Sequence, residues 1–127
     1  DPGTGAEVKH VILPWPYEAL WPNARPHWAQ KAKATKAYRF AAKSLCLGAR
    51  PGVVRVTFCP KSRGPIPDRD NCIAAFKAAQ DGIADALGVN DRDLIFTHEF
   101  GDRCKDGGVI VDIIPTETTI PFKGSIT

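Results

Sequence analysis

Between Ala19 and Pro67 this chain has no aspartate and no glutamate, although ten lysines and arginines fall there. All but three of its fourteen acids stand at or after Asp68. A net charge of only +3 therefore hides a basic first half and an acid-rich second half, an asymmetry that favours a polyanionic partner on one side. Long apolar runs are also missing, which argues against a membrane span. No signal peptide is visible in the first ten residues, which are polar and Gly-rich. The chain begins at Asp1 and contains no Met, so its natural start is expected to lie upstream or to have been trimmed. The four cysteines, Cys46, Cys59, Cys72 and Cys104, form no CxxC pair and have no His at zinc-knuckle spacing. They are expected to be free, mostly buried thiols in a reducing cytoplasm. Two familiar ion sites are absent. A calcium loop starting at Asp68 would need other residues than Cys72 and Ile73, and no Gly-rich phosphate-cradling loop occurs.

What is present suits one globular domain. Residues 1–127 are too few for two cores and enough for one. The ordered part is expected to span about residues 9–115, with loose tails at 1–7 and after Pro115. Residues 9–13 read as a strand stopped by Pro14 and Pro16, and residues 16–27 as a Pro-rich loop. Residues 28–47 read as a helix with Ala34, Tyr38, Ala41 and Leu45 on the apolar face. Lys33, Lys36, Arg39 and Lys43 stand opposite, and Gly48 is the stop. Residues 52–59 are a β-branched strand ending at Pro60, followed by a basic loop over 60–67. A second helix is expected from an N-cap at Asp70 or Asn71 to Leu87, with Ile73, Phe76, Ile83 and Leu87 buried. Strands are expected over 94–100 and 108–114, joined by a charged turn and able to pair as a hairpin. The order β-α-β-α-β-β implies an α/β (α+β) fold, a single mixed sheet with two helices packed on it.

The densest chemistry lies at Asp68-Arg69-Asp70-Asn71, Lys77, Asp81 and Asn90-Asp91-Arg92-Asp93. On a helical period, Asp70, Lys77 and Asp81 share one flank, with Asp85 further round toward solvent. Lys77 and Asp81 are an i,i+4 pair in the weaker, cation-first orientation, so the pairing is not obviously there to support the helix. Two or three aspartates can hold a hard cation such as Mg²⁺ for phosphodiester cleavage. A nearby lysine can neutralise developing charge, and Lys61, Arg63 and Arg69 can grip neighbouring phosphates. Each acid has a plainer role as well. An Asp at a helix start is a cap, and Asp85 and Asp93 read as solvated charges. The basic helix face could likewise be merely solvated, but the acid-free stretch tips it toward nucleic-acid contact. Trp15, Trp21 and Trp28 read as packing residues rather than base-stacking ones, and His27 as structural or a phosphate contact.

In these residues the chain resembles the RusA family of Holliday-junction resolvases, which includes many phage and prophage members. The likeness is carried by Leu13-Pro14-Trp15-Pro16, Asn23-Ala24-Arg25-Pro26-His27-Trp28, Asp68-Arg69-Asp70-Asn71, Lys77-Ala78-Ala79-Gln80-Asp81 and Asn90-Asp91. The resemblance implies a homodimeric, Mg²⁺-dependent endodeoxyribonuclease (with Mn²⁺ as an alternative) that nicks four-way DNA junctions symmetrically in recombination and repair. It makes Asp68, Asp70 and Asp91 the metal-binding acids and Lys77 the essential lysine. Asn71 and Asp81 are expected to support them, and the charge pattern itself makes Arg25, Lys33, Lys36, Arg39, Lys61, Arg63 and Arg69 the expected DNA contacts. Two features depart from the family pattern. Lys77 stands about a helical turn further from Asn71 than in some members. Asn90-Asp91 replaces a frequent Asp-Asp pair, which leaves Asp93 as a fallback ligand. Two other readings remain: a catalytically silent nucleic-acid-binding module, and a metal-dependent phosphohydrolase acting on small substrates.

Overall fold

The computed structural model describes residues 8–115, so the expected tails lie outside the described residues. The elements follow as β1 (Lys9–Leu13), α1 (Trp28–Cys46), β2 (Gly52–Cys59), α2 (Arg69–Leu87), β3 (Ile95–Phe100) and β4 (Gly108–Pro115). Short 3-10 turns occur at Glu18–Leu20 and Asp91–Asp93. The architecture is the α+β one expected: two helices packed on one mixed four-stranded sheet. None of the described helices is long and apolar enough to cross a membrane.

The sheet order is β1-β4-β2-β3. β4 runs antiparallel to both β1 and β2, whereas β3 runs parallel to β2 at the sheet edge. The expected β3–β4 hairpin is therefore not formed. Burial explains why. β4 is at least half-buried on both faces along its length and needs an interior position, while Ile95, Thr97, Glu99 and Phe100 leave β3 exposed. The intervening turn stays beside the end of β2. Gly101 N–H donates to Phe58 O at 2.9 Å and Cys104 N–H donates to Pro60 O at 2.9 Å. The parallel β2–β3 pair requires a crossover, and α2 supplies it.

Alternation sends Val11, Leu13, Val54, Val56, Phe58, Val109, Val111 and Ile113 to the helix-covered face, where all are buried. α1 meets them with Tyr38, Ala42 and Cys46. These residues are spaced by four, and they displace Leu45, which was expected inside and is 43% exposed. In α2, Phe76, Ile83 and Leu87 are buried as expected, while Ile73 is only partly covered. The Tyr38 hydroxyl donates to Pro14 O at 2.7 Å, which satisfies a buried polar group. Phe76 meets both Tyr38 and Phe58 edge-on, a favoured aromatic geometry.

The helices approach closely at Gly82. A Cβ there would stand 2.2 Å from Arg39 O and 3.1 Å from the Ala42 Cβ. Each helix follows a strand of the same direction, so both helices start at the end of the sheet where β1 and β2 finish. The loops before them gather at that end too, and Gly107 lies against Trp15 and Lys61.

Candidate functional site

The start of α2 emerges from this loop-rich end, directly after the basic segment 60–67. The helix begins at Arg69 with Asp68 as N-cap, two or three residues before the expected Asp70 or Asn71. An N-cap aspartate normally accepts a hydrogen bond from the first turn. Asp68 does not: its side chain makes no capping bond. Asp68 and Asp70 are both exposed, and among the described residues neither carboxylate forms a hydrogen bond or an ion pair. Two acids two residues apart are thus left open at the positive end of a helix.

Their neighbours are cationic and held in place. Arg69 reaches across to β3 and donates to His98 O from Nε at 3.2 Å and from Nη2 at 3.1 Å. This satisfies a carbonyl on the free edge of the sheet. Arg103 donates to Lys61 O at 2.9 Å and to Gly64 O, so the loop bearing Lys61 and Arg63 is clamped to the 101–107 turn. Gly64 at φ +88° provides the reversal in that loop. Beneath the acids lies Cys72, whose thiol is pushed up to about 11 by burial and by the nearby Asp68. A thiol so shifted is no nucleophile at neutral pH. His98 stacks on Phe58 and Phe96, and its pKa is lowered by burial and by Arg69.

Farther down α2 the acids are paired. Lys77 Nζ lies 3.0 Å from Asp81 Oδ1. Asp85, expected to be solvated, instead takes both arms of Arg39 from α1, at 2.7 and 3.0 Å. Arg39, expected on a DNA-facing stripe, is therefore committed to an inter-helix ion pair. The Arg39 guanidinium holds the Asp85 carboxyl below the usual carboxylate range. Gly88, at φ +73°, ends the helix in a left-handed turn.

The backbone of Asp91 enters the Asp91–Asp93 3-10 turn, and the strand expected from residue 94 begins at Ile95. The preceding Asn90 borders the same small hollow as Asp81 and Asp85. Asp81 lies about 16 Å of helical rise from Asp70. The backbone of Asp91 thus belongs to the far half of α2, away from Asp68 and Asp70. Among the described residues no three His, Cys, Asp or Glu side chains come together in a group that could hold a metal.

The remaining sequence-derived contacts distribute along α1. Arg25 and Lys33 border a groove of about 640 Å³ between the 17–26 loop and the start of the helix. Lys36 stands one turn on, exposed. Trp15 and Trp21 pack together at 5.6 Å, but Trp28 is 76% exposed. Sequence reasoning missed Arg103 and His98. Both reach the site only through the parallel pairing of β3 with β2, which no local signal announces.

No family model matches the chain. It is 36% identical over 115 residues to an uncharacterized protein of Xylella fastidiosa (strain Temecula1 / ATCC 700964), covering 83% of this chain and 74% of that protein. The chain belongs to the family of that protein. Membership in that family assigns no chemistry.

Proposed function

We propose that this protein is a metal-dependent endonuclease of branched DNA, as its resemblance to the RusA resolvases implies, with Asp68 and Asp70 as the acids that hold the metal. The observation that carries this reading is the N-cap aspartate that does not cap. Among the described residues, Asp68 and Asp70 present open carboxylates on either side of Arg69, directly after the basic segment that carries Lys61 and Arg63. An aspartate kept at the N-cap only for capping would be bonded to the first turn.

The donor set fits Mg²⁺, which is commonly bound by one or two carboxylates together with substrate phosphates and water. Such an ion, when bound, supplies an activated water and charge relief at the phosphate. The chain's own residues do the rest. Lys61 and Arg63, on a loop clamped by Arg103, hold phosphates flanking the scissile one. Arg69 is anchored to the β3 edge and fixes the helix start against the sheet. Lys77, two turns down α2, extends the positive field toward the cut strand.

Asp91 enters the site in this reading through the homodimer. Antiparallel pairing of two α2 helices sets the Asp91 end of one chain against the Asp68–Asp70 end of the other, and a two-fold enzyme then offers one site per cut strand. The free cysteines, three of them buried, fit a reducing cytoplasm.

The acid-free helix α1, which carries five cations, supports one second reading, a catalytically silent DNA-binding module. A synthetic four-way junction incubated with protein in Mg²⁺ or in EDTA separates the two. Paired nicks in Mg²⁺ alone support the nuclease. Binding in both conditions without cleavage in either supports the module. Cleavage of small phosphodiesters that junction DNA fails to compete would overturn both.

A further inference from the structure

α1 carries a feature that neither the core nor the acids use. Its buried side is filled by Tyr38, Ala42 and Cys46. On the opposite side Lys33, Lys36, Phe40 and Lys43 follow one another at steps of three and four, which places them on one ridge. Phe40 stands in the middle of that ridge, 70% exposed, with Lys36 one turn before it and Lys43 one turn after it. The helix contains five cations and no acid.

We propose that this ridge binds DNA at the branch point, with Phe40 stacking on a base whose face the branch leaves uncovered and Lys36 and Lys43 taking the phosphates on either side. The inference rests on the branched-DNA reading, though not on cleavage. An exposed aromatic ring between ammonium groups has the two elements that single-strand and unstacked-base recognition needs, a stacking surface and a phosphate track. A continuous duplex offers no such base, because each face is already stacked. A second copy of the ridge is a poor partner, since its lysines would face lysines. On one side the ridge borders the groove of about 640 Å³ lined by Tyr17, Glu18, Arg25, Gln30 and Lys33. Its two cations against one acid continue the basic track toward the start of α2. An anionic lipid surface would also accept lysines and a phenylalanine, and the experiment includes it.

The test uses the full chain in EDTA. It is titrated into a four-way junction carrying 2-aminopurine beside the branch, into a linear duplex with the same probe, and onto phosphatidylserine–phosphatidylcholine vesicles. The expected result is a fluorescence change on the junction that Phe40→Ala abolishes and Phe40→Trp retains. Junction affinity of Phe40→Ala should fall roughly 5- to 100-fold, the range for one lost base stack, with duplex affinity unchanged. Lys36→Gln and Lys43→Gln should each lower the salt slope by about one. An unaltered probe signal in Phe40→Ala overturns the inference, as does vesicle binding that depends on Phe40 without any junction preference. The nicking assay keeps the two proposals apart. A wild type that shows the Phe40-dependent signal but never nicks removes the nuclease and leaves this inference standing. Nicking with no role for Phe40 does the reverse.

Discussion

The two ends of α2 carry the same residue type in opposite circumstances. At its C-terminal half Asp81 and Asp85 are ion-paired, the first with Lys77 on the same helix and the second with Arg39 on α1. At its start Asp68 and Asp70 stand exposed with no such partner among the described residues. The far half is built as architecture: Gly82 lets α1 approach closely, Arg39 bridges to Asp85, and Gly88 closes the helix. The near end forgoes the hydrogen bond that an N-cap aspartate ordinarily makes. Acids with partners hold the protein together, and acids without them are available to a ligand.

Substitutions should break this symmetry of composition in a definite order. The largest effect is expected from Asp70→Asn. It should reduce Mg²⁺-dependent junction nicking by about 10²–10³-fold, the several kcal/mol associated with a lost metal interaction. Junction binding should persist or tighten, because less negative charge does not weaken phosphate contacts. Full nicking by this variant would remove the near end from the chemistry.

Mixing offers a sharper probe of Asp91. If Asp91 acts across a dimer, Asp70→Asn and Asp91→Asn proteins, each inactive alone, should regain nicking of one strand when refolded together. The mixed dimer then contains one site with all its acids. No recovery in dimers shown to be mixed would confine the site to one chain.

Next comes Gly82→Ala. The added methyl meets the Arg39 carbonyl at 2.2 Å, and overpacking of this kind costs about 1–3 kcal/mol against a helix-propensity gain of about 1 kcal/mol. A net loss of up to about 2 kcal/mol is expected in urea unfolding. Raised stability would show that the helices can separate freely.

The smallest effects belong to single charges. Asp68→Asn should shift stability by less than about 0.5 kcal/mol, since its carboxylate makes no cap bond. Asp85→Asn should cost less than about 1 kcal/mol, because the Arg39 pair is half-exposed and screened. Its signature is in the pH dependence. The Asp85 carboxyl is held low in the folded state, so its contribution is present above the unfolded value near pH 4 and fades as pH falls further. The acid limb of a stability profile should therefore be shallower in Asp85→Asn than in the wild type.

Much of the fold was legible in the chain. Pro and Gly punctuation bounded the elements closely, and alternation in β2 and β4 marked the covered face. Partner choice was not. Whether β3 lay beside β4 or β2 depended on burial across the whole sheet, which adjacency in sequence does not encode. α1 illustrates the same limit on a smaller scale. Both Leu45 and Cys46 fit a helical stripe, and only the sheet beneath decided that Cys46 went in. At the site, the Asp68–Asp70 pair was readable because its members are two residues apart. Its lack of bonded partners among the described residues was not readable, nor was the withdrawal of Arg39 to Asp85, a contact spanning 46 positions. Asp91 was grouped with the others by pattern, whereas the helix between them keeps its backbone in the far half.

The most direct test of the contrast between the two ends is paramagnetic. With Mn²⁺ added in substoichiometric amounts, amide resonances close to the ion broaden first. The account predicts that broadening begins at Asp68, Arg69, Asp70 and Asn71 and disappears in Asp70→Asn. Broadening centred on Asp81 and Asp85 while the start of α2 stays sharp would contradict it.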